Sequence, residues 1–396
     1  MPPSDVGRTA DVVVIGAGIV GAACARALSR AGRHVVVLDR GPAVSATTAS
    51  GEGNILVSDK APGPELELAR LARGLWDRLV EEVADELGPT FPSMEFESKG
   101  GLVVATTAKS AAPLCEFAGT QRAAGVQANE VTLSEALRLE PWLSPAVTSA
   151  VHYPEDAQVQ PVVAAEAMLE SARRSGAKVL THAAVRAAII VGSRIVGVET
   201  ANGDIHAGVV LNASGPWAHQ VSSALGAPID VRPRRGVVLV TTRMPQRIFH
   251  KVYDADYVGA TQSAAANLQT SSVVESTRAG TVLIGSSREQ VGFDRRLRVE
   301  VLRELAIKAQ RLFPFLSEAA VMRTYGGFRP YVPDHVPVIG EDPRLPGLWH
   351  ATGHEGAGVG LSVATAQLIL ALVGGEAPPI DPAPFRVDRA AVLGVD

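Results

Sequence analysis

The apolar positions near the start of the chain predict a strand, a helix and a second strand. Residues 12–15 form a continuous apolar run, which is typical of a strand buried on both faces of a parallel sheet. Residues 19–31 have the composition and length of a helix, and residues 35–38 form a second apolar run. This order predicts a strand–helix–strand unit in which the two strands are parallel.

The turn after the first strand contains three glycines in the spacing G-x-G-x-x-G, at Gly16, Gly18 and Gly21. The first permits a tight turn, the second lets the backbone approach a pyrophosphate, and the third lets helix and strand pack closely. The helix that begins at Ile19 directs its free N–H groups at the phosphates. A carboxylate at Asp39, where the second strand ends, can accept hydrogen bonds from ribose hydroxyls. We therefore predict a dinucleotide site, with a purely structural unit as the alternative.

Two later strands also end in small residues. Residues 205–211 run into Ala213, Gly215 and Trp217, and a strand at 347–352 enters a glycine-rich turn. The loop after the second strand is rich in small and hydroxyl residues, which can lie directly against a cofactor, although it can also be a flexible surface loop. The candidates from the turn and the loop are Gly353, Gly356, Ala357, Gly358, Thr47, Thr48, Ser50 and Gly51.

The remaining periodicity predicts further helices and an antiparallel sheet. Helical spacing of apolar residues covers 65–87. Further helices are predicted at 161–175, which has a proline in its first turn, at 299–313, and at 359–373, which is uniformly apolar and hence buried. Residues 96–107 alternate and predict two strands around a Gly-Gly turn. Further short strands are predicted at 179–181, 185–191, 195–200, 205–211, 236–241, 252–257, 271–275 and 281–285. The strands after 229 predict a substrate domain that is interrupted by returns to the nucleotide domain.

Composition excludes several classes of protein. The 396 residues have a net charge of −4, which gives no sign of a nucleic-acid-binding surface. The only cysteines, Cys24 and Cys115, form neither a disulfide framework nor a CxxC metal motif, and we predict no metal. The first ten residues lack an apolar signal core, and the apolar run 359–373 is shorter than the roughly 20 residues that span a bilayer. We expect a cytoplasmic protein without a membrane span.

The three nucleotide-type segments, residues 12–39, 205–217 and 347–361, together resemble the FAD-dependent oxidoreductases of the D-amino acid oxidase superfamily, which includes glycine and sarcosine oxidases. Within it, the segments GEGNILVSDK, GSSREQVGFD and TGHEGAGVGLS resemble β-subunits of heteromeric D-hydroxyproline and opine dehydrogenases. The resemblance implies an α/β fold in which a Rossmann-like FAD-binding domain of glutathione-reductase type is interleaved with an antiparallel-sheet substrate domain. We place the FAD-binding domain at 1–90, 150–228 and 325–396, and the substrate domain at 91–149 and 229–324.

The resemblance also implies the residues that hold FAD. They are Gly16, Gly18, Ile19, Gly21, Asp39, Arg40, Thr47, Thr48, Ser50, Gly51, Val185, Ala213, Gly215, Trp217, Gly327, Arg329, Gly353, Gly356, Ala357 and Gly358. A helix N-terminus after Gly353 would stabilise the negative charge that develops on the flavin on reduction. Some sarcosine oxidases attach flavin through a cysteine near residues 325–331. That stretch has no cysteine here, so we expect non-covalent FAD.

Arg329, in the sequence GFRP, matches the family arginine that binds the substrate carboxylate. A planar guanidinium can make two parallel charge-assisted hydrogen bonds and so fix the orientation of the α-carbon. The alternative is a surface salt-bridge residue. Further candidates for the substrate pocket are Tyr253, Tyr257, His335, His354 and Glu355. For His335, which lies in a Pro-rich segment, the alternative is a structural role.

The family mechanism implied is oxidation of the C–N bond of an amino acid or secondary amine. The α-hydrogen passes to flavin N5 as hydride and the resulting imine hydrolyses. Leu283 stands where some sarcosine oxidases carry an oxygen-activating lysine, and this favours a dehydrogenase that passes electrons to a partner subunit with further redox centres. The alternatives are a self-contained oxidase that produces H2O2 and a non-catalytic flavin-binding subunit.

Overall fold

The computed structural model describes residues 9–261, 263 and 265–394. The strands are β1 (Thr9–Ile15), β2 (Val35–Leu38), β3 (Asn54–Ile55), β4 (Gly101–Ala105), β5 (Asn129–Val131), β6 (Ser149–Tyr153), β7 (Ala157–Gln158), β8 (Lys178–Leu180), β9 (Val185–Val191), β10 (Arg194–Thr200), β11 (Ile205–Asn212), β12 (Arg232–Thr241), β13 (Lys251–Asp254), β14 (Gln269–Ser276), β15 (Val282–Arg288), β16 (Val321–Tyr331), β17 (Val338–Glu341) and β18 (Leu348–Thr352). The helices are α1 (Ile19–Arg30), α2 (Pro64–Leu87), α3 (Ala108–Ala123), α4 (Leu133–Leu139), α5 (Pro161–Arg174), α6 (Ala218–Ala224), α7 (Asp256–Thr261), α8 (Val299–Leu312), α9 (Gly358–Gly374) and α10 (Ala390–Leu393).

The first sheet has a parallel centre. Its main path is β17-β18-β11-β1-β2-β8, and β10 and β9 extend it from β11. The central strands read as continuous apolar runs because helices cover them, with α1 packed between α5 and α9. In the parallel register, Ile15 lies beside both Leu38 and Asn212, and Asn212 lies beside His350. The carboxyl ends of four strands therefore meet at one edge.

The second sheet is almost entirely antiparallel and has the order β16-β12-β15-β14-β13-β4-β6-β5. Only β13 and β4 pair in parallel among its described strands. Helix α8 covers it with the buried side chains of Val301, Leu305 and Leu312. The two sheets confirm the predicted α/β fold with a mostly antiparallel substrate-domain sheet.

The structure departs from the predicted elements in two places. Residues 96–107 do not form a hairpin, because only Gly101–Ala105 is a strand and it pairs with β6 and β13. A Cβ at Gly101 would lie 2.2 Å from a carboxylate oxygen of Asp156, so the space beside Gly101 is occupied by the segment that carries Asp156. Tyr257 lies in helix α7 and not in the strand predicted at 252–257.

Two strands fall across the domain boundaries that we predicted. Strand β6 begins just before residue 150 and belongs to the second sheet, and β16 runs through residue 325. The boundaries therefore remain a proposal, although the alternation of chain segments between the two sheets is evident from their strand orders.

Helix α9 is the core helix of the first half of the fold. It packs against α1 and α2, and the indole Nε1 of Trp76 donates to the carbonyl of Gly360 at 2.9 Å. By length and apolarity alone, Glu355–Gly374 is the one described segment that could cross a membrane, and 61% of its most apolar window is buried inside the fold. The segment is longer than predicted from the sequence, and its burial is that of a helix in a globular core.

Candidate active site

Four turns that carry predicted cofactor residues meet at the carboxyl edge of the first sheet. Gly16 follows β1, Asp39 follows β2, Ala213 follows β11 and Gly353 follows β18. The parallel register brings these ends together. Ligands of open α/β sheets bind outside this edge, so the structure places the three nucleotide-type segments in one site.

The glycine turn is packed too tightly for side chains. Gly16 has φ +111°, and a Cβ there would lie 2.5 Å from the carbonyl oxygen of Ala213. A Cβ on Gly21 would lie 1.9 Å from the carbonyl oxygen of Gly16. The absence of side chains at these two positions lets α1 begin directly against β1. The N-terminus of α1 then faces the edge where a pyrophosphate would bind.

Asp39 and Thr48 hold the surrounding loops to this turn. The Asp39 carboxylate accepts hydrogen bonds from the N–H groups of Ala17 and Gly41, each at 2.9 Å. Thr48 Oγ1 accepts a hydrogen bond from the N–H of Ile19 at 3.0 Å, at the start of α1. Two predicted cofactor residues thus also order the backbone around the site.

Arg40 and Trp217 lie together at the Asp39 end. The Arg40 guanidinium carbon is 4.2 Å from the centre of the Trp217 ring, and Trp217 stacks on Phe293 with ring centroids 5.3 Å apart. Val185 begins β9 two residues after Ala183, whose N–H donates to the carbonyl of Asp39 at 2.7 Å. These positions suit residues at the adenosine end of a dinucleotide.

The loop at 47–51 packs on strand β16. Thr47 Oγ1 donates to the carbonyl of Phe328 at 2.7 Å, and a Cβ on Gly327 would lie 2.5 Å from Ser50 Cβ. A Cβ on Gly51 would lie 3.9 Å from Val359, in the first turn of α9. The loop therefore bridges the two sheets close to the start of α9.

The turn between β18 and α9 lies against Arg329, the residue predicted to bind the substrate carboxylate. Gly353 has φ +78°, and a Cβ on Gly356 would lie 3.5 Å from Nε of Arg329. Gly215 has φ +58°, and its carbonyl accepts a hydrogen bond from Thr352 Oγ1 at 3.0 Å. The side-chain-free turns, the helix N-termini and the carboxylate at Asp39 fit an extended FAD, which is negatively charged at its pyrophosphate.

Arg329 is held between strands of the second sheet. Its Nη1 donates to the carbonyl of Ser287 at 2.8 Å, and a Cβ on Gly236 would lie within 2.3 Å of the guanidinium. Burial and the positive charge of Arg288 lower the pKa of Arg329 to about 10. The side chain therefore stays cationic at neutral pH, and no carboxylate in the described part of the chain forms an ion pair with it. A surface salt-bridge residue does not fit this position.

Tyr257 and Arg288 form a wall next to Arg329. Tyr257 lines a cavity with Asn54, Gly356 and Ala357, and the guanidinium carbon of Arg288 lies 4.6 Å from the centre of the Tyr257 ring. The prediction that Tyr257 faces the pocket agrees with this position. Arg288 was missed, although a charged residue that ends a strand of otherwise small and apolar residues was a signal for it.

Two predicted pocket residues point elsewhere. His354 is buried, its Nε2 lies 2.9 Å from Thr365 Oγ1 inside α9, and burial lowers its pKa to about 3. Tyr253 is buried and its hydroxyl donates to Ser58 Oγ in the interior. The structure contradicts a pocket position for both, because the turn and the strand direct these side chains into the core.

Glu355 is held by two basic residues. Arg234 Nη1 donates to Oε1 at 2.6 Å, and His335 Nδ1 lies 3.0 Å from Oε2. Burial opposes ionisation of Glu355, but the hydrogen bond from His335 and the charge of Arg234 outweigh it and lower the pKa. Glu355 is therefore an anion that ties β12 to the turn before α9. Arg234 was missed in the sequence.

A second buried ionic cluster lies between β3 and the second sheet. Lys251 Nζ is 3.3 Å from Glu275 Oε2 and 3.9 Å from Glu52 Oε2. The Glu52 carboxylate lies against Gly285, where a Cβ would be 2.3 Å from its Oε1. The alternation of the strands did not reveal this cluster, since its members come from separate segments. Among the described residues, no cluster has the composition of a metal site.

Comparison with known proteins identifies the family. The chain matches the FAD dependent oxidoreductase family, DAO, over residues 11–372. It is 30% identical to the hydrogen cyanide synthase subunit HcnC of Pseudomonas aeruginosa over 421 residues, which cover 96% of each protein. It is 28% identical to glycine oxidase of Geobacillus kaustophilus over 382 residues, covering 96% of this chain and 97% of that protein.

The solved structures agree as well. The crystal structure of glycine oxidase from Geobacillus kaustophilus superposes with a TM-score of 0.87 at 27% identity, covering 96% of this chain and 99% of that one. These relatives do not single out D-hydroxyproline or opine dehydrogenase subunits, so that narrower prediction remains a proposal. FAD is the cofactor that the family and the carboxyl-edge site share. This chain belongs to the DAO family of FAD-dependent oxidoreductases and is an enzyme of the amino acid oxidase and dehydrogenase kind.

Proposed function

We propose that the chain oxidises the C–N bond of an amino acid or secondary amine whose carboxylate is bound by Arg329. The observation that carries this proposal is the position of that guanidinium. It lies against Gly356 in the turn before α9 and donates to the Ser287 carbonyl, while no described carboxylate pairs with it. A partly buried cation beside the cofactor-binding turn is suited to an anionic substrate group.

The chemistry that FAD supplies when bound is acceptance of two electrons as the substrate C–N bond becomes C=N. The chain orients the substrate for this. Arg329 fixes the carboxylate and hence the α-carbon, and alignment of this kind contributes directly to rate. Tyr257 closes the cavity on one side. The product imine hydrolyses in water, so the chain need not supply a general base for that step.

We propose that FAD is bound without a covalent link. Cys24 is buried in α1, where burial raises the pKa of its thiol to about 12. Cys115 lies in α3 on the second sheet. Neither described thiol is in the turns that carry the predicted cofactor residues.

The test of the carboxylate role is anaerobic reduction of the bound flavin by a panel of D-amino acids, hydroxyprolines and opines. With an Arg329→Ala variant, we expect the reduction rate at low substrate concentration to fall by about 100-fold or more, as for loss of a buried charge-assisted contact. Arg329→Lys should recover part of it. An unchanged reduction rate in Arg329→Ala would rule out the carboxylate role.

The acceptor of the electrons is a separate question. We favour a dehydrogenase in a heteromeric assembly, and the similarity to HcnC, a subunit of hydrogen cyanide synthase, supports this. The glycine oxidases among the relatives support the alternative, an oxidase that forms H2O2. Leu283, which stands where some sarcosine oxidases carry an oxygen-activating lysine, packs with Val238 and Val240. Arg288 and Arg329 nevertheless supply positive charge close by. The absence of the lysine is therefore weaker support for a dehydrogenase than the sequence alone indicated.

Admission of air after anaerobic reduction separates the two. A dehydrogenase should stay reduced for minutes and reoxidise with an artificial electron acceptor. Rapid reoxidation by oxygen with release of H2O2 would establish the oxidase. The cytoplasmic location and the D-hydroxyproline or opine substrate expected from the sequence remain proposals that fractionation and the same substrate panel would test.

A further inference from the structure

Arg288 is a buried cation close to Arg329. It is 2% exposed at the end of β15. Its side chain crosses the Tyr257 ring at 4.6 Å from the centroid, and its Nη1 donates to Ser286 Oγ at 3.3 Å. Its Nε is buried and has no hydrogen-bond partner among the described residues. The ion pair or full set of hydrogen bonds that a buried guanidinium usually has is therefore incomplete among the described residues.

Two other buried arginines of the second sheet are each paired with a carboxylate. Arg234 lies 2.6 Å from a Glu355 oxygen, and Arg235 lies 2.6 Å from a Glu289 oxygen. Within the described ranges, Arg288 and Arg329 form no ion pair. Burial of a guanidinium without an anion is unfavourable. The fold nevertheless holds Arg288 buried and Arg329 partly buried, and no described carboxylate forms an ion pair with either.

The two cations are close together. Arg329 Nη1 donates to the carbonyl of Ser287, the residue directly before Arg288. Strand β12 lies between β16 and β15, and its Gly236 leaves the space across which the Arg329 guanidinium extends. Glu355, whose charge acts on both arginines, already accepts hydrogen bonds from Arg234 and His335. The positive charge beside Tyr257 therefore exceeds what one carboxylate would neutralise.

We propose that Arg288 binds a second carboxylate of the substrate, so that the enzyme acts on amino acids or secondary amines that carry two carboxylates. One carboxylate binds Arg329 and the other binds Arg288. This inference rests on the proposed oxidation of a C–N bond and narrows its substrate class. Two guanidinium groups on different strands suit an extended dianion, because each can make its own charge-assisted hydrogen bonds.

The test is a pair of ligands that differ in one carboxylate, measured on the FAD-loaded enzyme. Diglycolate and methoxyacetate cannot be oxidised as amines, and their dissociation constants follow from the change in flavin absorbance or from calorimetry. We expect diglycolate to bind about 10–100-fold more tightly than methoxyacetate, the range for hydrogen bonds to a charged group. In Arg288→Met the ratio should fall towards one, and Arg288→Lys should restore part of it.

Flavin reduction gives the second readout. Iminodiacetate and N-ethylglycine are the matched amines, and the wild type should reduce its flavin faster with iminodiacetate at equal low concentration. Arg288→Met should remove that preference while the FAD content of the purified protein stays the same. An Arg186→Met variant, in which an exposed arginine of β9 is changed, controls for net charge.

The outcomes separate this inference from the proposed function. Equal loss of affinity for both acids in Arg288→Met and Arg288→Gln, or no preference for diglycolate in the wild type, would overturn the second-carboxylate site. If amines reduce the flavin without preference for the dicarboxylate, only this inference fails. If no amine reduces the flavin but diglycolate binding depends on Arg288, the proposed oxidation fails and the anion site stands.

Discussion

Individual glycines decide how closely the elements around the site approach each other. At Gly21, a Cβ would overlap the carbonyl oxygen of Gly16 at 1.9 Å. At Gly236, it would overlap the Arg329 guanidinium. The first position sets the start of α1 against β1, and the second gives Arg329 its path across the sheet. At both positions, glycine is required because a neighbouring group occupies the space of a side chain, and not because of the glycine's own dihedral angles.

Gly21→Ala should reduce the FAD content and the stability of the protein. The added methyl forces α1 away from the turn, and overpacking of this kind costs about 1–3 kcal/mol. Urea unfolding and flavin absorbance of the purified protein measure both effects. Gly74→Ala is the matched control, because Gly74 is exposed on α2 and nothing lies within 4 Å of its added Cβ.

The control should be neutral or stabilising by about 0.5–1 kcal/mol, since alanine is the better helix former. A Gly21→Ala protein with full FAD content and unchanged urea midpoint would show that α1 has room to move, contrary to the packing seen here.

At the level of elements, the two sheets are joined by strand β12 and the turn before α9. Arg234 on β12 is fully buried and pairs with Glu355 in that turn. His335, which follows β16, completes the contact with the second oxygen of Glu355. The ion pair therefore holds the helix that faces the cofactor site to the sheet that carries both proposed carboxylate clamps.

Arg234→Met should destabilise the protein by about 3–5 kcal/mol, because removal of one partner leaves the other charge buried without compensation. The measurement is the free energy of unfolding in urea. Arg386→Met is the control, since Arg386 pairs with Asp388 at the surface with 63% of its side chain exposed, and such pairs contribute about 0–1 kcal/mol. Similar losses in the two variants would argue against a structural role for the buried pair.

At the level of the whole molecule, burial of His354 couples stability to pH. Burial lowers the pKa of His354 to about 3, whereas an unfolded histidine has a pKa of about 6.5. Below that value the unfolded chain binds a proton that the folded chain does not. This group therefore contributes stability above pH 6.5 that is lost as the pH falls towards 3, by at most about 1.4 kcal/mol per pH unit.

His354→Gln should flatten the fall in unfolding free energy between about pH 6 and pH 4. Glutamine retains a partner for Thr365 Oγ1, which lies 2.9 Å from the imidazole. His206→Gln, at an exposed position of β11, is the matched control for loss of a histidine from the surface. Parallel pH curves for His354→Gln and the wild type would contradict the buried neutral imidazole.

The sequence predicted elements well where a single periodicity dominated. The helix predicted at 65–87 is observed as Pro64–Leu87, and the strand at residues 35–38 is observed at the same positions. The prediction from sequence failed where the direction of a side chain depends on residues that are distant in the chain. His354 and Tyr253 were assigned to the pocket from their neighbours in sequence, but Thr365 and Ser58 receive them in the interior.

The sequence by itself determined the FAD fold, because the glycine spacing, the apolar strands and the terminal acid at Asp39 are local features that leave few alternatives. Tertiary structure alone decided which charges are buried together. Arg288, Arg329 and Glu355 come from three separate segments. Only their packing shows that Arg234 pairs with Glu355, whereas no carboxylate in the described ranges forms an ion pair with Arg288 or Arg329. The electrostatic environment of a buried charge depends on groups distant in the chain, so no local pattern encodes it.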